Sequence, residues 1–193
     1  MTKVYFVRHA EPVQDWADNR TRPLTEEGRA DSRMVTEFFA GRHIDRIYCS
    51  PYRRSLDTIR ETAEAHKLEI VIDERLRERD ARPGSNSREQ IRLRWEDHER
   101  HEEGGESIAM VQRRNLEVLG EILSCCQGKT VVVGTHGTAL STILQHWNPD
   151  FGSEDFFRIL DWMPYIVELD FEGGRMTELT EHLHLAKRFQ KRS

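Results

Sequence analysis

Hydrophobic residues along this chain alternate between short apolar runs and longer stretches with helical spacing. The runs at residues 4–7, 44–49, 68–72 and 130–135 are rich in β-branched and aromatic side chains, as in strands buried on both faces. Between them, apolar positions recur every three or four residues, as on one side of a helix. This order predicts an α/β fold: a three-layer sandwich with a mostly parallel central sheet and helices on both faces.

Capping residues place the first two predicted helices. The first should begin after Thr25, whose side chain can accept a hydrogen bond from the first turn, and end near Gly41. The second is expected to begin with Ser50 as its N-cap and Pro51 in its first turn. Two more helices are predicted over residues 108–123 and after residue 136.

Two later features complete the predicted fold. Residues 165–171 and 176–179, joined by a Gly-Gly turn, have the alternation of a closing hairpin. Residues 74–106 interrupt the order of strands and helices because arginines and acids alternate there and large apolar residues are few. We interpret this segment as a small charged helical cap insertion, with ion pairs one turn apart, that can fold over a ligand site.

Length and charge limit the classes of protein to consider. A chain of 193 residues is expected to form a single domain over residues 1–193. Its formal net charge of -5, from 34 acidic and 29 basic residues, argues against a nucleic-acid partner. Neither a membrane span nor a signal-peptide core is apparent, so we expect a cytoplasmic protein. Its oligomeric state is not predicted.

The three cysteines are few and irregularly placed. Cys49, Cys125 and Cys126 have no C-x-x-C spacing, so neither a disulfide framework nor a zinc site is predicted. The adjacent pair, Cys125 and Cys126, is interpreted as buried packing residues.

Two histidines follow predicted strands. His9 comes after Arg8 at the end of the first strand, and His136 follows the run at residues 130–135. Because the carboxyl ends of parallel strands meet along one edge of a sheet, where ligands bind in open α/β folds, we expect one shared site.

An arginine in the second predicted helix extends this site. Arg53 and Arg54 lie in the first turn, where the helix dipole disfavours cations by about a few tenths of a kcal/mol. An anion held by Arg53 and the free N–H groups of the turn would offset that cost. Alone, Arg53 would be interpreted as a surface arginine paired with an acid. Together with Arg8, His9 and His136 it predicts a phosphoryl ligand.

Six short motifs occur in order and span most of residues 3–137. They are Arg8-His9, Pro23-Leu24-Thr25-Glu26-Glu27-Gly28, Ser50-Pro51-Tyr52-Arg53-Arg54-Ser55, Leu76-Arg77-Glu78, Gly105-Glu106-Ser107 and Thr135-His136-Gly137. As a set they make the chain resemble the histidine phosphatase superfamily, the phosphoglycerate-mutase-like proteins.

The resemblance implies a role for each matched residue. His9 would be the nucleophile that forms a phosphohistidine, and Arg8, Arg53 and His136 would bind the phosphoryl oxygens. Glu78 would donate the proton to the leaving group, with Asp80 as the alternative donor. No metal and no other cofactor is implied.

The chemistry of these residue types agrees with those roles. An imidazole is nucleophilic only when neutral, and surrounding cations favour that form while they attract a phosphate dianion. Arg79, which follows Glu78, and Gly137 of the last motif are predicted to contact the substrate, as are Gln14 and Asp15.

The chain also departs from the family's pattern near the nucleophile. Ala10 stands where the family has glycine, and its Cβ is expected to narrow the pocket. Asp15 stands where the family has asparagine, and Gln14 is expected to take over that substrate contact. The tight glycines that follow the acid in the mutases are absent.

The sequence therefore predicts a phosphatase that hydrolyses phosphomonoesters through a phosphohistidine on His9. Its substrate would be a phosphorylated small molecule or a phosphoprotein. Two alternatives stay open: phosphoglycerate-mutase-type phosphoryl transfer, and a weakly active protein that binds a phosphorylated ligand.

Overall fold

A six-stranded sheet forms the middle layer of the protein. The computed structural model describes residues 1–82 and 86–187, so residues 83–85 and 188–193 of the predicted domain lie outside the described part. The strands are β1 (Thr2–Arg8), β2 (Arg46–Cys49), β3 (Ile70–Ile72), β4 (Thr130–Thr135), β5 (Trp162–Glu172) and β6 (Arg175–Ala186). They are ordered β3-β2-β4-β1-β5-β6; the first four are parallel, and β5 and β6 run antiparallel to their neighbours.

Helices cover both faces of this sheet. They are α1 (Glu26–Phe39), α2 (Arg53–His66), α3 (Arg88–Glu96), α4 (Ile108–Cys125), α5 (Gly137–Trp147) and α6 (Ser153–Ile159). Successive residues of β1 point to opposite faces. Tyr5 and Val7 pack with α1 and α2, whereas Val4 and Phe6 pack with α4, α5 and α6. The predicted three-layer α/β sandwich is confirmed.

Thr25 caps α1 as predicted. Its side-chain oxygen accepts a hydrogen bond from the N–H of Gly28 at 2.8 Å, and Gly41 adopts a φ of 77° just beyond the helix. The predicted start of the second helix is wrong by two residues, because α2 begins at Arg53. The Ser50 hydroxyl accepts the N–H of Tyr52, which forms a turn ahead of the helix.

Several boundaries near the end of the chain also differ from the prediction. The helix α6 was not predicted, because seven residues are too few for a helical period to stand out. The strand β6 continues to Ala186, well beyond residue 179. It is an edge strand with mostly exposed side chains, so it carries no buried apolar run.

Residues 74–106 connect β3 to α4 and contribute more to the core than their charge indicates. Leu76, Ile91 and Trp95 are buried in the same cluster as α4 and α5. The guanidinium groups of two α3 arginines lie over the ring of Phe157 in α6, at 4.1 and 5.5 Å from its centroid. The segment is therefore attached to the domain by buried apolar side chains and by α6.

Candidate active site

A cleft of about 620 Å³ lies between the carboxyl ends of β1 and β4 and the segment of residues 74–106. Because β1 and β4 are parallel neighbours with Arg8 beside Thr135, the residues that follow them reach the same edge of the sheet. The imidazole rings of His9 and His136 are 5.3 Å apart between centroids. The structure therefore brings the two histidines together.

The His9 imidazole is held in one orientation. Its Nδ1 is 2.7 Å from the carbonyl oxygen of Ala10, which can only accept, so Nδ1 carries the proton. Its Nε2 accepts a hydrogen bond from Nε of Arg54 at 3.1 Å. Burial and the charges of Arg54 and Arg8 hold the pKa of His9 well below its usual range. His9 is thus a neutral imidazole with its lone pair on Nε2.

Arg54, not Arg53, belongs to this cluster. The Arg54 side chain is buried, lines the cleft, and donates to His9 and to the carbonyl of Asn19. The Arg53 side chain is 54 % exposed and pairs with Asp57, one turn along α2. The expected position of Arg53 is wrong because adjacent helical residues point about 100° apart, and the second one faces the cleft.

Arg8 is fixed beneath the cleft by the end of α6. Its guanidinium donates to the backbone carbonyls of Ile159 and Leu160, and burial lowers its pKa to about 10. A Cβ at Gly137 would lie 3.2 Å from the Arg8 Cζ, so the glycine leaves room for this guanidinium. Gly137 also lines the cleft.

His136 stands at the N-cap of α5 with no exposed surface. Its Nε2 is 2.7 Å from the Ser50 hydroxyl, while its Nδ1 has no hydrogen-bond partner in the described parts of the chain. Burial, then the charge of Arg54, holds the pKa of His136 well below its usual range. Ser50 therefore orients His136 instead of capping a helix.

Glu78 is bound to the first turn of α5. One carboxylate oxygen, Oε2, accepts the N–H of Thr138 at 3.0 Å, and Oε1 accepts those of Ala139 and Arg79 at 3.2 and 2.8 Å. These bonds hold the carboxylate at the wall of the cleft. Asp80, the alternative donor, is exposed, lies 3.7 Å from Arg82 and is not among the lining residues.

Arg22 is a cleft residue that the sequence did not reveal. It lines the cleft, and its buried Nε has no hydrogen-bond partner within the described residues. Its charge also helps to lower the pKa values of His9 and Arg54. Arg22 lies in an irregular loop, where no periodic pattern of apolar and polar residues indicates the direction of a side chain. Its position next to the Pro23 motif was the one available signal.

The residues after His9 occupy different places from those expected. Gln14 is exposed and lines the cleft, whereas Asp15 is not among the lining residues. Ala10 is fully buried and its N–H donates to the Thr58 hydroxyl at 2.9 Å. Ala10 is not among the lining residues, so the expected narrowing of the pocket by its Cβ is not observed.

The outer part of the cleft is formed largely by residues 74–106. Arg79 and Arg94 have side chains that are 3 % and 4 % exposed, and both pair with Glu102, at 3.2 and 2.7 Å. An apolar wall lies beside them, made of Ile91, Trp95, Ile108, Phe156 and Met163. This region can hold an organic group next to positive charge.

The described residues contain neither a transmembrane helix nor a cluster of metal-binding side chains. No helix there is long and apolar enough to cross a membrane. No group of three or more His, Cys, Asp and Glu side chains in residues 1–82 and 86–187 is placed to hold a metal ion.

His9 and three of the arginines that line the cleft, Arg8, Arg22 and Arg54, define a site for a phosphoryl group. The predicted phosphate ligand His136 packs against His9 but is not among the lining residues. The model of the histidine phosphatase superfamily (branch 1) matches residues 4–181, and the chain belongs to this family. The predicted family is thereby confirmed.

Known proteins of this family resemble most of the chain. Phosphoserine phosphatase 1 of Hydrogenobacter thermophilus is 33% identical over 151 residues, which are 70% of this chain and 71% of that protein. A 2,3-bisphosphoglycerate-dependent phosphoglycerate mutase 2 of Gloeobacter violaceus is 27% identical over 180 residues, 78% of each chain. The solved structure of Bacillus stearothermophilus YhfR superposes with a TM-score of 0.75 at 25% identity, covering 92% of this chain and 95% of that one. The prediction of a histidine phosphatase is confirmed at this level.

Proposed function

We propose that the protein hydrolyses phosphomonoesters through a phosphohistidine on Nε2 of His9. The observation that carries this proposal is the orientation of His9, whose protonated Nδ1 faces the Ala10 carbonyl while Nε2 meets Arg54 in the cleft. A neutral imidazole with its lone pair among arginines is the form needed for attack on phosphorus. When substrate binds, the Arg54 guanidinium turns from Nε2 to a phosphoryl oxygen.

The charge that develops on the phosphoryl group is then shared among fixed cations. Arg8, Arg22 and Arg54 line the cleft with His9 and their charges act on its imidazole, so their guanidinium groups are the proposed donors to the phosphoryl oxygens. Phosphoryl transfer requires mainly positioning and electrostatic stabilisation, which these groups supply. The proposed reaction uses no metal or cofactor.

Glu78 is proposed as the acid and then the base. Its Oε1 already accepts two backbone N–H groups and its Oε2 accepts one, so Oε2 keeps a lone pair that can carry a proton. In the first step Glu78 protonates the leaving oxygen as the P–N bond to His9 forms. In the second step it takes a proton from the water that attacks the phosphohistidine, which releases inorganic phosphate.

The substrate is proposed to be a phosphorylated small molecule. A cleft of about 620 Å³ lies within the range of small-molecule sites. With the phosphoryl group at His9, the organic part lies against the apolar wall, where Arg79, Arg94 and Gln14 supply polar contacts. Arg79 and Arg94, which both pair with Glu102, place guanidinium groups beside the apolar wall, and these suit a substrate with a second anionic group.

Turnover of p-nitrophenyl phosphate tests the nucleophile. We expect His9→Ala to lower kcat on the order of a thousandfold or more, because the residue that forms the covalent intermediate is lost. The exposed His43 offers a matched control, and His43→Ala should retain full activity. Equal rates for the wild type and His9→Ala would overturn the proposal and favour a protein that only binds phosphorylated ligands.

Analysis of the reaction products distinguishes hydrolysis from phosphoryl transfer by a mutase. The mutase alternative is supported by the similarity to a phosphoglycerate mutase. With 3-phosphoglycerate, the proposal predicts inorganic phosphate as the product. Accumulation of 2-phosphoglycerate without release of phosphate would show that the protein is a mutase and not a phosphatase. Rapid quenching with ³²P-labelled substrate should trap an acid-labile label on the wild type and none on His9→Ala.

A further inference from the structure

A pair of cysteine thiols lies at the carboxyl end of α4, far from the cleft. Ile108, at the other end of α4, lines the cleft, and 17 residues at 1.5 Å each place Cys125 about 25 Å along the helix axis. The sulfur atoms of Cys125 and Cys126 are 3.4 Å apart, and the Tyr48 hydroxyl is 3.6 and 3.8 Å from them. The interpretation as buried packing residues is correct for Cys126, which is buried, and wrong for Cys125, which is exposed.

The surroundings of Cys125 favour its thiolate. A hydrogen bond with Tyr48, and a weaker effect from the Cys126 thiol, lower the pKa of Cys125. The carboxyl end of a helix opposes an anion, and the nearby Arg46 acts against that effect. Tyr48 stays protonated because burial raises its pKa, so its hydroxyl can donate to the sulfur. By contrast, burial raises the pKa of the Cys49 thiol to about 12.

We propose that Cys125 and Cys126 form a thiol pair that hydroperoxides oxidise reversibly. In the first step the Cys125 thiolate attacks the peroxide oxygen; the O–O bond breaks, Cys125 becomes a sulfenic acid, and the second oxygen leaves as hydroxide or alkoxide. In the second step the Cys126 sulfur attacks the sulfenic sulfur and water leaves, which forms a disulfide between the two residues. The sulfur is oxidised and the peroxide is reduced.

The difference in burial gives the two thiols different roles in the proposed reaction. Cys125 is exposed and meets the peroxide, whereas Cys126 has no exposed surface and is reached only from the adjacent sulfur. An exposed thiol with a lowered pKa beside a resolving thiol is the arrangement of redox-sensitive cysteines. A disulfide between neighbouring residues departs from the usual Cα separation and is therefore strained, so small thiols should reduce it easily.

Mass spectrometry of the full chain after treatment with hydrogen peroxide tests this pair. The wild type should lose two hydrogens in the peptide that holds both cysteines, and dithiothreitol should restore them. In Cys126→Ser the sulfenic acid has no partner, so dimedone should label Cys125 strongly. Tyr48→Phe, which removes only the hydroxyl, should slow the reaction severalfold.

Cys49 is the internal control and should stay unlabelled in every sample. Oxidation of Cys49 at the same rate as Cys125 would overturn the proposal, as would a dimedone label on Cys125 that is equal in the wild type and Cys126→Ser. Phosphatase activity of Cys126→Ser should equal that of the wild type, since neither thiol belongs to the cleft. This test therefore stands apart from that of the catalytic proposal.

Discussion

The two ends of the cleft differ in how they are built. The inner end, with Arg8 and His9, follows directly from the carboxyl ends of β1 and β4 and from the first turn of α2. The outer end is formed by residues 74–106, and its two buried arginines are paired with Glu102. At the inner end, Arg8 and Arg54 form no ion pair with the described residues; they donate to backbone carbonyls and to the His9 imidazole, and the charge of Glu78 acts on both.

This difference separates chemistry from substrate selection. Cations that contact backbone carbonyls and a neutral imidazole are ready to stabilise charge that appears only during the reaction, whereas arginines already bound to Glu102 contribute mainly to the shape of the cleft and to substrate affinity. We therefore expect substitutions at the inner end to lower kcat and those at the outer end to raise KM.

The largest effect should come from a matched pair of arginines on α2. Arg54→Ala removes the guanidinium that contacts His9 and should lower kcat on the order of a hundredfold to a thousandfold. Arg53→Ala removes an exposed side chain and should change kcat by less than about twofold. Steady-state kinetics with p-nitrophenyl phosphate measures both. A larger loss for Arg53→Ala than for Arg54→Ala would contradict the inner end described here.

The same arginine pair shows where prediction from sequence stops. The spacing of apolar residues was sufficient to predict the sheet, the helical layers and the proximity of His9 to His136. The last of these follows because the carboxyl ends of neighbouring parallel strands lie at the same edge of the sheet. The helix start at Ser50 was misplaced because its hydroxyl can serve either a helix or a turn. An error of two residues there changes which arginine faces the cleft.

Cleft side chains from a loop and from a short charged helix could not be placed from the sequence. Arg22 and Arg94 reach the cleft through a loop and through a short helix whose charged residues hide the buried positions. Their burial depends on tertiary contacts such as those of Trp95 with Phe151 and Phe156, which no local pattern contains.

The effect of replacing Glu78 on kcat should depend on the leaving group of the substrate. Glu78→Gln leaves no acid to protonate an alkoxide, so kcat with an alkyl phosphate should fall on the order of a hundredfold. With p-nitrophenyl phosphate the loss should be much smaller, because p-nitrophenolate leaves without a proton. Glu89→Gln, on the exposed side of α3, is the control. Equal losses with both substrates would assign Glu78 a structural role at the start of α5.

Substitutions at the outer end of the cleft should change mainly KM. Arg94→Ala removes one of the two arginines that pair with Glu102 and takes a positive group from the cleft, so KM for an anionic organic phosphate should rise about tenfold while kcat changes little. Arg92→Ala is the control from the same helix, since Arg92 lies at the surface and pairs with Glu154. Thermal melting of Arg94→Ala and of Arg94→Lys separates a loss of binding from a loss of folding. If Arg94→Ala is folded and shows a lower kcat with an unchanged KM, the outer end takes part in catalysis as the inner end does, which contradicts the proposed difference between them.

Ala10 should have the smallest effect, although it adjoins the nucleophile. Its side chain is buried and not among those that line the cleft, and its N–H is bound to Thr58, so Ala10→Gly leaves the geometry of His9 unchanged. We expect kcat and KM to change by less than about twofold, since no charged donor is altered. The free energy of unfolding should fall by about 0.5–1 kcal/mol, because glycine loses more backbone freedom on folding and leaves the space of a methyl group. Kinetics and denaturant melts measure both quantities. A severalfold rise in kcat would show that the methyl group does restrict the inner end, so that the residue after the histidine sets the rate of the enzyme.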